Sequence, residues 1–174
     1  AAMQKKTVRS GIVGAGLSAS FHYEAIQKVY GTNVDVVGVY AKDGDMARGY
    51  AEKRGIRAFE SLDQLIEKVD VVHVNTPPFA HEPVAVSALA ADKHVICEKP
   101  LTGYFGDGSP DFHWDNANME VALADALASV DRMIQAEKSS QGRLMNAENW
   151  VYAPSIQKER EVLEKTGAQI LWIH

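Results

Sequence analysis

Thr7-Val8-Arg9-Ser10-Gly11-Ile12-Val13-Gly14-Ala15-Gly16-Leu17-Ser18-Ala19 is the stretch that decides the fold. Thr7 to Val13 alternates toward apolar and stops at a glycine, which reads as a β-strand. From Ser18 to Val29 the period changes, and Phe21, Ala25, Ile26 and Val29 fall on one face of a helix. A strand turning into a helix through Gly14-x-Gly16-x-x-Ala19 is the pattern of a dinucleotide-binding βαβ unit. Gly14 permits the tight turn, Gly16 lets the main chain approach a pyrophosphate, and small Ala19 lets helix and strand pack closely. The N-terminus of the helix then offers free N–H groups and a partial positive charge to the phosphates. Gly14, Gly16, Leu17 and Ser18 are therefore the candidate phosphate cradle. A purely structural βα turn is the competing reading of the same glycines.

The same alternation continues along the chain. Val34 to Tyr40 is a strongly β-branched strand. Asp43 caps a helix over Met46 to Arg54, which Gly55 ends. Ala58-Phe59 is a short strand, Ser61 caps a helix through Lys68, and Val71 to Val74 is the next strand. After Thr76-Pro77-Pro78, His81 to Ala91 is helical and Lys93 to Cys97 is a strand. Alternating elements joined by short connections predict an α/β fold, a doubly wound parallel sheet with helices on both faces. The pattern lapses over Thr102 to Asn116, whose Tyr104, Phe105, Phe112 and Trp114 are too many aromatics for a disordered linker, so an ordered surface loop is expected. A long helix from about Ala117 to Glu137, a strand over Arg143 to Asn149 and a helix over Pro154 to Lys165 follow. Residues 1–150 read as one domain. Residues 151–174 read as the truncated start of a second α/β domain, and apolar Gln169 to Ile173 as its first strand, open to edge pairing with another chain.

Further motifs sit where strands end. In open α/β sheets ligands bind outside the carboxyl ends of the strands. An acid that would hold adenosine ribose hydroxyls is expected after the second strand. Its position is taken by Ala41, with Lys42 beside it, a pairing that suits a 2′-phosphate better than a 2′-hydroxyl and favours NADP over NAD. Asp43 is the alternative ribose acid, although the helix-cap reading of it is the stronger. Asn75-Thr76-Pro77-Pro78 makes a rigid lip that His81 caps or lines. His73 reads as a core residue of its strand, and His22 as either structural or near the site. Finally Val95-Ile96-Cys97 runs into Glu98-Lys99-Pro100, where proline forces a stop. A lysine at a strand end, next to a nicotinamide, can hold or protonate a substrate oxygen as hydride moves at carbon. Lys99 is thus the candidate catalytic residue; by composition alone it would be a surface lysine paired with Glu98.

Composition narrows the classes. The chain has 174 residues, a net charge of −5, 46% apolar and 24% charged residues, and no lysine or arginine block. No nucleic-acid or membrane partner is expected, since a phosphate-tracking basic face and a run of about 18 apolar residues are both missing. One cysteine, Cys97, leaves no internal disulfide framework and fits a reducing, cytoplasmic setting. No metal site is expected.

Gly11-Ile12-Val13-Gly14-Ala15-Gly16 with His22 after it, Thr76-Pro77-Pro78-x-x-His81 and, most specifically, Glu98-Lys99-Pro100 resemble the Gfo/Idh/MocA oxidoreductases. The resemblance runs from about Thr7 to Leu101 and resumes near Asn149 to Gly167. It implies a Rossmann domain binding NAD or NADP at Gly14, Gly16, Leu17, Ser18, Ala41, Lys42, Asn75, Thr76, Pro77, His81, Glu98 and Lys99. It also implies Lys99 as the proton-transfer lysine, and a second α/β domain bearing the remaining catalytic Asp and His. Substrates would be sugars, inositols or related polyols, and the full-length protein a homo-oligomer. Two departures stand out. An insertion, Gly103 to Asn116, follows Glu-Lys-Pro, and the chain stops where the substrate domain should begin, so cofactor binding with little turnover is expected of these residues alone. A non-catalytic NAD(P) sensor is the alternative; Lys99, which a sensor has no need of, argues for an enzyme.

Overall fold

The computed structural model of the chain describes residues 6–106 and 112–171. Six strands run β1 (Thr7–Val13), β2 (Asn33–Tyr40), β3 (Arg57–Ala58), β4 (Val71–Val74), β5 (His94–Cys97) and β6 (Leu144–Asn146). They form one sheet in the order β3-β2-β1-β4-β5-β6, with every neighbouring pair parallel. The direction of winding reverses between β1 and β4, which opens a crevice at their carboxyl ends. The helices are α1 (Leu17–Ile26), α2 (Gly44–Glu52), α3 (Leu62–Lys68), α4 (His81–Ala90), α5 (Met119–Lys138) and α6 (Pro154–Thr166). This is the doubly wound α/β arrangement expected from the alternating pattern.

Successive strand residues point to opposite faces, so each strand feeds two cores. Ile12, Val36 and Val39 pack with Ala19 and Ile26 of α1 and Tyr50 and Ala51 of α2. On the other face Val13, Val72, Val74, Val95 and Cys97 pack against Leu65, Ala88, Leu89 and Met133, which come from α3, α4 and α5. Helix starts are fixed locally. Asp43 Oδ1 accepts from Asp45 N and Met46 N at 3.0 and 3.1 Å, and Ser61 Oγ from Gln64 N at 3.2 Å. Each such cap is worth about 1 kcal/mol. Both were legible as capping residues, and α6 likewise ends at Gly167.

Three expectations need correction. First, residues 168–171 pair with no strand, and Leu171 is 88% exposed. An apolar run is a strand only where a neighbour takes its main-chain bonds, and among the described residues none does; residues 172–174 of that segment lie outside them. Second, the helix face Phe21, Ala25, Ile26, Val29 is not buried as a unit. Only Ile26 is, while Phe21, Ala25 and Val29 line a cavity. The reason is that α1 covers β1 and β2, whereas the sheet face beside it bearing His73, Ile96 and Met145 is left open among the described residues. Third, the sixth strand is limited to Leu144–Asn146, because β5 ends at Cys97 and offers no further ladder. His73, expected in the core, is buried at 7% exposure, and it also borders the same cavity. In the 103–116 loop, Phe112 lies edge-on to Tyr104 and Trp114, with ring centroids 5.6 and 5.5 Å away. Residues 107–111 of that loop lie outside the described ones. No described helix is long and apolar enough to cross a membrane.

Candidate functional site

The carboxyl ends of β2, β1, β4 and β5 lie side by side, and they carry the residues singled out in the sequence. Gly14 has φ +102°, a conformation that strains any residue with a Cβ, and its N–H donates to Tyr40 O at 2.8 Å, tying the turn to the end of β2. A Cβ there would lie 2.8 Å from the main-chain carbonyl carbon of Asn75. The turn is therefore pressed against the end of β4. Gly16 differs: it caps α1 in extended conformation without a side-chain bond, and a Cβ would meet nothing within 4 Å. Beyond it is open space, onto which the first N–H groups of α1, at Leu17 and Ser18, face without capping partners.

Asn75 closes the floor of this crevice. Its N–H donates to Val13 O at 2.8 Å, and the residue is 5% exposed. Yet both atoms of its amide, and the Thr76 hydroxyl, are buried with no hydrogen-bond partner among the described residues. Buried polar groups left without partners cost about 1–3 kcal/mol each. Such groups at the sheet's switch point fit a polar ligand that completes them, and the open Gly16 turn beside them fits its phosphates. The residues present thus suit a dinucleotide.

Ala41 and Lys42 follow the end of β2, and Lys42 has no ion-pair partner among the described residues. Asp43 spends one carboxylate oxygen on two N–H groups of α2, which supports the cap reading over a ribose acid. His81, named as a cofactor ligand from sequence, is instead 1% exposed. Its Nδ1 lies 2.9 Å from Pro100 O and its Nε2 3.0 Å from Thr76 O. With both nitrogens on main-chain carbonyls, the ring has no polar atom left for a ligand; it buckles the Asn75-Thr76-Pro77 lip to the Glu98-Lys99-Pro100 turn. Pro77 stands exposed on that lip.

At the end of β5 the surface-pair reading of Lys99 and Glu98 is not realised. Glu98 Oε2 accepts the main-chain N–H of Lys99 at 3.0 Å, and Oε1 lies 3.1 Å from His22 Nε2. His22 Nδ1 in turn lies 3.0 Å from His73 Nδ1. Lys99 is exposed, and its Nζ has no partner among the described residues. Burial, and then the neighbouring His22, hold the His73 imidazole down at about 4, so it stays neutral near pH 7. Burial pushes the adjacent Cys97 thiol up to about 12, which leaves it inert. His22, His73, Glu98 and Lys99 border a cavity of about 610 Å³ whose apolar wall includes Ile96 and Met145. Sequence reading missed His73. The available signal was parity: it alternates with Val72 and Val74 and so faces away from their core.

Comparison with known proteins agrees with this geometry. The profile of GFO_IDH_MocA, described as an oxidoreductase family with an NAD-binding Rossmann fold, matches residues 8–109, more than half of the chain. Glucose-6-phosphate 3-dehydrogenase of Bacillus subtilis (strain 168) is 37% identical over 91 residues, 52% of this chain and 25% of that protein. Inositol 2-dehydrogenase 1 of Paenarthrobacter aurescens (strain TC1) is 32% identical over 148 residues, 80% of this chain and 41% of that protein. Among solved structures, UDP-N-acetylglucosamine 3-dehydrogenase GnnA from Acidithiobacillus ferrooxidans superposes with a TM-score of 0.71 at 24% identity, over 90% of this chain and 43% of that one. This chain therefore spans less than half the length of these relatives. On the profile match, the parallel sheet and the glycine turn together, the chain belongs to the Gfo/Idh/MocA oxidoreductase family and carries its NAD-binding Rossmann fold.

Proposed function

We propose that the chain is the cofactor-binding part of an NAD(P)-dependent dehydrogenase that moves hydride to or from a hydroxyl-bearing carbon of a sugar, inositol or related polyol. The observation that carries the reading is Lys99, whose ammonium has no partner among the described residues, one strand away from the Asn75 amide and Thr76 hydroxyl, which have none there either. A bound nicotinamide supplies hydride acceptance and donation. The chain's own residues do the rest. Gly14, Gly16, Leu17 and Ser18 bind and orient the phosphates through main-chain N–H groups, and Asn75 and Thr76 direct polar atoms into the crevice. Lys99 holds the substrate oxygen and moves its proton as the carbon changes oxidation state. The names of the relatives, which act on glucose 6-phosphate, inositol and a nucleotide sugar, support the substrate class.

Two finer readings belong with this proposal. Ala41 and Lys42, which has no ion-pair partner among the described residues, suit a 2′-phosphate, so NADP is preferred to NAD. Residues 1–150 form the dinucleotide-binding domain and 151–174 begin the substrate domain, through which the full-length protein would form homo-oligomers. In support, α6 buries none of its residues. Calorimetric titration of the chain with NADPH and NADH separately is the test. Tighter NADPH binding that Lys42→Glu reverses supports the reading. Preference for NADH refutes the Lys42 argument, and binding of neither refutes the cofactor site.

A further inference from the structure

A chain of contacts, His73–His22–Glu98–Lys99, ends at Lys99, and its first three members have no part in the function described so far. It joins three elements distant in sequence: His22 stands on α1, His73 on β4, and Glu98 and Lys99 just past β5. Its chemistry has a direction. A carboxylate only accepts, so His22 Nε2 carries the proton it shares with Glu98 Oε1. The main-chain N–H of Lys99 lies past the end of the strand, where no ladder partner exists, and Glu98 Oε2 takes it instead. Glu98 therefore clamps the backbone from which the catalytic lysine springs, and His22 clamps Glu98. The side chains of His22 and Glu98 are only 13% and 18% exposed, so water competes weakly for either bond. The N-terminus of α1, five residues before His22, is the phosphate cradle.

We propose that His22 is a positioning residue that couples the phosphate end of the site to Lys99, so that dinucleotide binding at the α1 N-terminus sets the orientation of the lysine. The inference rests on the dinucleotide reading above. Any displacement of α1 on binding moves His22, and with it Glu98 Oε1, while Glu98 Oε2 transmits the movement to Lys99. By linkage, the lysine's placement and the affinity of the cradle then depend on one another. His73, on the far side of the His22 ring, fixes that ring from the sheet.

The test uses the full chain with its lysines reductively ¹³C-dimethylated and Lys99 assigned through Lys99→Arg. The probe is ADP-ribose, which brings the pyrophosphate and lacks the nicotinamide. In the parent chain ADP-ribose is expected to shift the Lys99 methyl signal. In His22→Leu the shift is lost although calorimetry still records ADP-ribose binding, and His22→Gln, which retains a donor for Glu98, restores it. A shift of the same size in His22→Leu overturns the proposal, as does a parent-chain ¹⁵N spectrum in which His22 Nε2 carries no proton. The latter measurement needs no variant to fold. ADP-ribose binding with an unmoved Lys99 signal in the parent chain overturns the coupling alone, whereas no binding overturns the dinucleotide reading itself.

Discussion

Gly14 and Gly16 stand two residues apart in one turn, and alanine at each should have opposite consequences. At Gly14 an alanine must adopt φ +102°, which costs about 1–2 kcal/mol in left-handed backbone. Its Cβ would also press on the main chain of Asn75, 2.8 Å from the carbonyl carbon. That atom belongs to the end of β4 and cannot swing aside like a side chain, so relief requires a backbone shift of about 1–3 kcal/mol. The sum, roughly 2–5 kcal/mol, is a large share of a typical total of about 5–15. With a urea slope of about 2 kcal/mol per molar, the unfolding midpoint of Gly14→Ala should fall by roughly 1–2.5 M. At Gly16 the backbone is extended, φ −89° and ψ −161°, and a Cβ meets nothing within 4 Å. Gly16→Ala should unfold within about 1 kcal/mol of the parent chain. It nevertheless fills the space in which phosphates would sit, so affinity for NADPH and NADH should fall at least about tenfold, or 1.4 kcal/mol. Urea unfolding by circular dichroism and calorimetric titration measure the two effects separately. If Gly14→Ala unfolds like the parent, the turn is not packed on β4 as described. If Gly16→Ala binds both dinucleotides undiminished, the glycine turn is structural only.

Three further outcomes are expected. His73 is held neutral down to about 4 in the native chain against an ordinary 6.5, so between those values the unfolded chain binds a proton that the native one does not, and stability falls as pH is lowered through that window. At about 1.4 kcal/mol per pH unit the loss approaches roughly 3 kcal/mol; urea midpoints from pH 7 to 4 should show it in the parent, with a flatter profile in His73→Phe, and parallel profiles would contradict it. Asp43→Ala removes the α2 cap and should lower thermal stability by about 1 kcal/mol while leaving phosphate binding at α1 intact; a collapse of NADH affinity would return Asp43 to the role of ribose ligand. Lys99→Ala touches no partner among the described residues, so the chain should melt as before. In the whole protein the same change should slow proton-coupled turnover by about 10²–10⁴-fold in steady-state kinetics, and an unaltered rate would remove Lys99 from the chemistry.

Local chemistry determined much of this protein without help from the fold. Thr7 to Val13 and Val71 to Val74 are strands from end to end as read, Asp43 and Ser61 cap their helices, and Gly14-x-Gly16 marks the turn, because each signal is an interaction between residues a few positions apart. The reading failed where a neighbour distant in sequence decides. Gln169 to Leu171 is apolar enough for a strand, but a strand is a pairing and none forms there among the described residues. His81 looked like a ligand until its two ring nitrogens met the carbonyls of Thr76 and Pro100. Nothing along the chain told that the Glu98 carboxylate goes to His22, 76 positions away in sequence. His22 and His73 meet across 51 positions because β4 lies between β1 and β5 and turns its polar position toward α1. Sequence fixes which groups exist and the local turns that present them. Only the order of strands in the sheet decides which of those groups touch, since that order is set by the burial of whole faces rather than by any residue's neighbours along the chain.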